Sequence, residues 1–186
     1  MNMDHGNMPG MNMAAPKSTT GTATPMSGMD MGMDMTALAK LKGKAFDRAW
    51  LSMMVAHHQG AIDMSKAVVN SVKDKQVKTW ANAIINVQQK EIASMNGWLK
   101  SLGGVDKAAQ SSMAKGMNVM VAALKQDKDS DRALVVGMLP HHASAIDMGN
   151  LALQYSDNAN VLKLAREIIR TQASEMYDYK QWLLKR

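Results

Sequence analysis

Cysteine is absent from the 186-residue chain, which excludes disulfides, thiolate metal sites and cysteine nucleophiles. Aromatic residues are few, with four Trp, three Tyr and one Phe, and little of the sequence alternates as a strand would. No apolar run reaches the roughly 18–20 residues of a membrane span. The chain also begins without a basic and then apolar leader. We therefore expect a helical protein with no membrane span and, if it is exported, one whose signal is absent from this sequence.

Charge excludes one further class of function. The formal net charge is +6, and the first 35 residues hold three Asp and one Lys, so residues 36–186 carry +8. The basic residues are scattered among acidic ones, with no dense arginine cluster and no interleaved aromatics. We therefore predict no nucleic-acid partner.

Methionine is abundant: the chain has 20, and ten of them lie in the first 35 residues. This segment, residues 1–35, is rich in Gly, Pro, Asn, Ser and Thr, lacks Leu, Ile and Val, and is predicted to be a disordered tail. Methionine often fills gaps in a core, but a tail builds no core. We therefore interpret the tail as a flexible metal-capture segment, with candidate ligands His5, Met29, Met31, Met33 and Met35.

The rest of the chain contains an internal repeat. Residues 47–102 align without gaps on residues 131–186, and 18 of the 56 pairs are identical. Apolar spacing predicts helices over about residues 44–73, 75–101, 106–126, 131–155 and 158–185. Two duplicated hairpins must bury their apolar faces against each other, so residues 36–186 are predicted to form one all-α domain. It would be a four-helix bundle in which segment 103–130 supplies a crossover helix.

The repeat carries the histidines. "HHQGAIDM" and "HHASAIDM" hold four of the five histidines, and at about 100° per residue each pair shares an arc of roughly 120° with two methionines. Thioether and imidazole together favour Cu(I) and Ag(I), and imidazole also accepts Cu(II). The candidate metal ligands are Met54, His57, His58 and Met64 in the first half and Met138, His141, His142 and Met148 in the second.

Other repeated residues have less specific interpretations. Two of the three glutamates, Glu91 and Glu175, lie on inward-looking faces, where a histidine on the facing helix could supply the donor that a buried carboxylate needs. Asp63 and Asp147 fall on the opposite side of their helices, and we expect them to bind a neighbouring segment or an arginine, Arg48 or Arg132. Five further methionines of the domain are interpreted as packing: Met53, Met95, Met113, Met117 and Met120.

The two His-His strings, set in paired hairpins behind a Met-rich N-terminus, resemble the CopM-like family over about residues 36–186. This is a bacterial domain-of-unknown-function family whose characterised member is a periplasmic copper-resistance protein. The resemblance implies a ferritin-like helical bundle, an exported setting and metal-binding roles for the eight ligands named above. The second copy departs from the first at Pro140, where the first has Ala56. A proline inside a helix tends to kink it, so we expect the second site to have a different shape.

Three functions remain open. The first is a non-enzymatic copper carrier or sequestering protein that exchanges Cu(I) with a copper exporter or another periplasmic carrier. The second is a ferritin-like di-iron or di-manganese oxidase, although such bundles use Glu-x-x-His motifs, which the chain lacks. The third is a metal-free helical module whose histidines are hydrogen-bonded core residues.

Overall fold

The computed structural model describes residues 35–186, and these residues form six helices and no strands. The predicted tail and its candidate ligands His5, Met29, Met31 and Met33 lie outside the described residues. The helices, in chain order, are α1 (Met35–Lys40), α2 (Gly43–Val68), α3 (Lys75–Ser101), α4 (Lys107–Leu124), α5 (Ser130–Tyr155) and α6 (Ala159–Leu184). The five predicted helices are thus confirmed to within a few residues, and a short helix that was not predicted precedes them.

Local sequence explains where the helices begin and end. The side chains of Asp74, Asp106 and Asn158 each accept hydrogen bonds from backbone amides of the first turns of α3, α4 and α6, which satisfies donors that a helix leaves unpaired. The chain leaves α3 through Gly103 and Gly104, both with positive φ. Glycine adopts this conformation without the strain that a side chain would bring, so the chain can turn out of α3 at this point.

Helix α2 occupies the centre of the bundle and packs against α3, α4 and α5, while α6 packs against α5. Helix α4 is more than a crossover, because its methionine face is buried along α2: Met113, Met117 and Met120 are at most 6% exposed. Their interpretation as core residues is confirmed. Gly60 permits this packing, since a Cβ atom there would lie 2.7 Å from Met117 Cβ.

Two aspartates at matched positions of the repeat connect the two hairpins by hydrogen bonds. Asp47, at the start of α2, accepts a hydrogen bond of 2.6 Å from Ser156 Oγ in the loop between α5 and α6. Asp131, at the start of α5, accepts bonds from the backbone amides of Lys73 and Asp74 in the loop between α2 and α3. Each half of the repeat therefore holds the loop of the other half, which fixes how α2 and α5 lie side by side.

One boundary differs from the sequence predictions. Met35, assigned to the tail, is the first residue of α1 and is partly buried against the core. Pro140 does not interrupt α5, which runs from Ser130 to Tyr155. No helix among residues 35–186 is long and apolar enough to cross a membrane.

Candidate metal centre

The four predicted histidines come together in the middle of the bundle. His57 and His58 lie on α2, His141 and His142 lie on α5, and none of the four is exposed. The rings of His57 and His141 stack with centroids 3.8 Å apart and a tilt of 38°. Their chain neighbours flank them, at 6.2 Å between His57 and His58 and 5.9 Å between His141 and His142. The duplicated motif thus forms one continuous row of imidazoles.

Each outer histidine binds a glutamate on its partner helix. His58 Nε2 lies 2.7 Å from Glu91 Oε2, and His142 Nε2 lies 2.8 Å from Glu175 Oε2. The glutamate side chains are 27% and 39% exposed, so they connect the buried rings with the surface. The predicted pairing of these carboxylates with facing histidines is confirmed. An ionised carboxylate can only accept a hydrogen bond, so Nε2 of each outer ring carries a proton.

The inner histidines bind backbone and hydroxyl groups. His141 Nε2 lies 3.0 Å from the carbonyl oxygen of His57, which can only accept, so this nitrogen also carries a proton. His57 Nε2 lies 2.7 Å from Ser144 Oγ. The Ser144 hydroxyl already donates its hydrogen to the carbonyl oxygen of His141, and it must therefore accept from His57. All four rings are consequently protonated at Nε2.

The other ring nitrogen is left free in every case. The Nδ1 atoms of His57, His58, His141 and His142 are buried and have no hydrogen-bond partner. In a neutral imidazole protonated at Nε2, Nδ1 presents a lone pair. A neutral ring of the centre therefore offers a buried lone pair of the kind that ligates metals, and each ring is oriented by a hydrogen bond on its far nitrogen. Metal-binding histidines are usually held in this way.

Burial keeps the inner rings neutral. Desolvation, followed by the electrostatic influence of the other three imidazoles, holds the pKa of His57 well below its ordinary value. The same desolvation, together with His142 and His58, lowers the pKa of His141 to about 3. The hydrogen bond between the two residues opposes this shift only in part. Their Nδ1 atoms thus stay unprotonated at neutral pH.

The four predicted methionine ligands are also inside the bundle. Met54 and Met64 on α2 and Met138 and Met148 on α5 have no exposed surface. No three His, Asp or Glu side chains among residues 35–186 form a group that could hold a metal ion. Thioether sulfur is the further soft donor that the buried methionines of α2 and α5 supply.

Two buried residues of the centre were not anticipated from the sequence. Ser144 links the ring of His57 to the backbone carbonyl oxygen of His141, and the matched residue in the first half is Gly60. The hydroxyl of Tyr179 lies 3.5 Å from His142 Nε2, and the tyrosine ring meets Trp80 edge-on at 4.9 Å. Both Ser144 and Tyr179 occur at positions where the two repeats differ, and those mismatches were the signal available in the sequence.

The predicted partners of the repeated aspartates are wrong. Asp63 accepts a bond from Gln59 on its own helix, and Asp147 is exposed. Arg48 instead donates to the carbonyl oxygens of Gly104 and Val105, which ties the α3–α4 loop to α2. Arg132 pairs loosely with Asp127 at 3.7 Å. Helical geometry placed the aspartates away from the centre, but it carried no information about which loop each arginine reaches.

Both halves of the chain match the same protein family. The chain matches the family described as "Domain of unknown function (DUF305)" over residues 1–99 and again over residues 68–183. The chain belongs to the DUF305 family. One curated relative, the "Uncharacterized protein L153" of Acanthamoeba polyphaga mimivirus, is 47% identical over 53 residues. That stretch covers 28% of this chain and 35% of the viral protein, so the match spans about a third of that relative.

Solved structures of similar proteins share the fold. CopM in its Cu(II)-bound form is 29% identical with a TM-score of 0.63, and the alignment covers 75% of this chain and 96% of that one. CopM has also been solved with Cu(I) and with Ag, at 28% identity over the same share of this chain. A putative secreted DUF305 protein from Streptomyces coelicolor is 22% identical with a TM-score of 0.66, covering 75% and 92% of the two chains. The CopM-like helical fold expected from the sequence is therefore confirmed.

Proposed function

We propose that this DUF305 protein binds Cu(I), and Ag(I) as a chemical equivalent, in the histidine-methionine centre between α2 and α5. The observation that carries the proposal is the set of four buried Nδ1 atoms without partners. Such atoms are costly in a closed core, at about 1–3 kcal/mol for each unsatisfied group. Soft metal ions, each bound by one or two of these nitrogens and by methionine sulfur, would satisfy them.

The composition of the centre favours a soft monovalent ion. Imidazole nitrogen and thioether sulfur are the only donors that the two repeats place together in quantity, and thioether binds Cu(I) and Ag(I) far better than Mg²⁺, Ca²⁺ or Zn²⁺. A monovalent ion also adds little charge to a dry core that already keeps two of its rings neutral. Cu(II) is a secondary cargo, best suited to imidazole and to the carboxylates at the edge of the centre. The CopM structures with Cu(I), Cu(II) and Ag bound support this choice.

We further propose that the protein is a carrier or sequestering protein and not an enzyme. A buried centre with soft ligands suits storage and exchange, and the Met-rich tail, with its candidate ligands Met29, Met31, Met33 and His5, suits capture. The tail and the centre together would serve copper tolerance in the periplasm or another exported setting, with a copper exporter or a second carrier as partner.

The other two functions have less support. A di-metal oxidase needs several carboxylates around one pair of ions, whereas Glu91 and Glu175 each bind a different histidine. A metal-free module would keep four unsatisfied lone pairs in its core, where apolar side chains would avoid the cost.

The test is an anaerobic titration of Cu(I) against a competing chromophoric chelator. The full chain, residues 35–186 alone and the full chain with His57, His58, His141 and His142 all changed to Ala would be compared, with circular dichroism to check that each folds. The proposal predicts that residues 35–186 retain part of the copper and that the histidine variant retains only what the tail binds. Equal copper binding by the full chain and the histidine variant would contradict it.

A further inference from the structure

A cleft opens on the surface between the last turns of α4 and the first half of α5. Its lining is almost wholly apolar and includes Met120 and Leu124 from α4, Val136, Gly137 and Pro140 from α5, and Met64 from α2. Met120 is 6% exposed and Met64 is not exposed at all. The cleft thus leads from a methionine near the surface to one of the candidate ligands of the buried centre.

Gly137 leaves room for the end of Met64 at this cleft. A Cβ atom at this position would lie 2.8 Å from the terminal methyl carbon of Met64, closer than real contacts allow. The matched residue in the first half of the repeat is Met53, which is buried and fills the corresponding place on α2. The second half therefore lacks a side chain where the first has one, and the end of Met64 occupies the space.

Pro140 leaves one backbone carbonyl oxygen, that of Val136, without its helical hydrogen-bond donor. A proline has no backbone N–H, so the carbonyl oxygen of Val136, four residues earlier, loses its helical donor. Both residues line the cleft. The first half has Ala56 at the matched position, which leaves its helical ladder complete. Gly137 and Pro140, two positions at which the second repeat differs from the first, therefore fall in one cleft.

We propose that this cleft is the port through which Cu(I) or Ag(I) reaches the buried centre, passing from the sulfur of Met120 to that of Met64. This inference rests on the proposed function, because it needs a soft ion as cargo. The four imidazoles and four candidate methionines have no exposed surface, so an ion needs a path to them. Two thioethers in an apolar lining favour a soft cation that sheds water easily and disfavour Mg²⁺ or Ca²⁺.

If the cleft is a port, changing its lining should alter the rate at which Cu(I) enters the protein but not the number of Cu(I) ions bound at equilibrium. Full-length protein would be mixed anaerobically with a chromophoric Cu(I)–chelator complex in a stopped-flow instrument, and transfer of Cu(I) would be followed by the chelator's absorbance. Met120→Leu removes a sulfur while nearly preserving volume. Gly137→Ala pushes Met64 aside. The controls are Met113→Leu, a buried α4 methionine outside the cleft, and Gly97→Ala, a helical glycine whose Cβ would meet nothing within 4 Å.

We expect Met120→Leu and Gly137→Ala each to slow the core phase of transfer roughly tenfold, with the same number of Cu(I) ions bound at equilibrium and with both controls at the wild-type rate. Phases that belong to the tail are common to all five chains, because residues 1–34 are unchanged. Wild-type rates in both cleft variants would overturn the port and would point to entry beside the partly exposed Glu91 and Glu175. Equal slowing by Met113→Leu would also overturn it, as an effect of core packing. If the wild-type core takes up no Cu(I), the proposed function itself fails.

Discussion

His57 and His141, which are matched residues of the two repeats, stack 3.8 Å apart, and His141 Nε2 donates a hydrogen bond of 3.0 Å to the backbone carbonyl oxygen of His57. This contact joins the two halves of the chain at their centre. It also places two imidazoles where neither can accept a second proton without a large cost in desolvation and mutual repulsion.

The neutral inner pair predicts how the stability of the metal-free protein depends on pH. The pKa values of His57 and His141 lie below their ordinary value of 6.5 in the folded state, that of His141 at about 3. Below pH 6.5 these two histidines therefore bind protons in the unfolded chain but not in the folded chain. The free energy of unfolding should fall as the pH drops, by up to about 1.4 kcal/mol per pH unit for each ring.

Urea denaturation at several pH values between 7 and 5, above the range where most carboxylates titrate, measures this slope. His141→Gln should lower the slope by about one proton. An unchanged free energy of unfolding between pH 7 and pH 5 would mean that the pair is already protonated or exposed.

The glutamates on α3 and α6 are expected to tune metal affinity. Glu91→Gln and Glu175→Gln keep an oxygen that can accept from the histidine Nε2–H, but they remove the negative charge that makes Nδ1 a better donor. Each should weaken Cu(I) affinity by roughly 10- to 100-fold. The chain's third glutamate provides the control, because Glu167 binds only Arg166 and Arg170 on the surface. Competition titration should find Glu167→Gln unchanged, and equal losses in all three would rule out a specific role for the pairs.

Ser144 should be needed for the arrangement of the inner rings. It accepts from His57 Nε2 and donates to the carbonyl oxygen of His141. Ser144→Ala leaves the His57 N–H buried without a partner, which should cost about 1–3 kcal/mol of unfolding free energy. Exposed Ser94, which only donates to a carbonyl on its own helix, serves as the control. A Ser144→Ala variant as stable as wild type would show that this hydrogen bond does not hold the inner rings in place.

Gly60 is predicted to set the distance between α2 and α4. A Cβ atom at residue 60 would lie 2.7 Å from the Cβ and Cγ atoms of Met117, which cannot move without shifting α4. Gly60→Ala should therefore destabilise the protein by about 1–3 kcal/mol. Gly97→Ala, on the open face of α3, should instead stabilise it by about 0.5–1 kcal/mol. Thermal unfolding of the two variants distinguishes these signs, and a stabilising Gly60→Ala would mean that α4 does not pack as described.

The sequence predicted most of the fold and the location of the centre because both depend on periodicity. The repeat put matched faces of α2 and α5 opposite each other, and the spacing of Met54, His57 and His58 put them on one side of a helix. The need of a buried carboxylate for a donor was enough to anticipate the bond between Glu91 and His58. These are short-range rules or consequences of symmetry.

Contacts that depend on how helices pass one another were not predictable. The role of Gly60 follows from the register of α4 on α2, which nothing in the local sequence specifies. Arg48 was expected near an aspartate but reaches the α3–α4 loop, and the hydrogen bond between Ser144 and His57 was not expected. In each case the partner is more than 50 residues away in the chain. The residues at which the repeats differ were the best guide, and they mark much of what makes the second half distinct.

Two-dimensional ¹H–¹⁵N correlation spectra of the histidine rings will show whether Nδ1 of the four buried histidines is the metal-binding atom. Spectra of ¹⁵N-labelled full-length protein would be recorded without metal and with the diamagnetic probe Ag(I). We expect His57, His58, His141 and His142 to carry their proton on Nε2 in the metal-free protein. We also expect Ag(I) to shift the Nδ1 signals of these rings while that proton stays in place. Rings protonated at Nδ1, or Nδ1 signals unaffected by Ag(I), would contradict it.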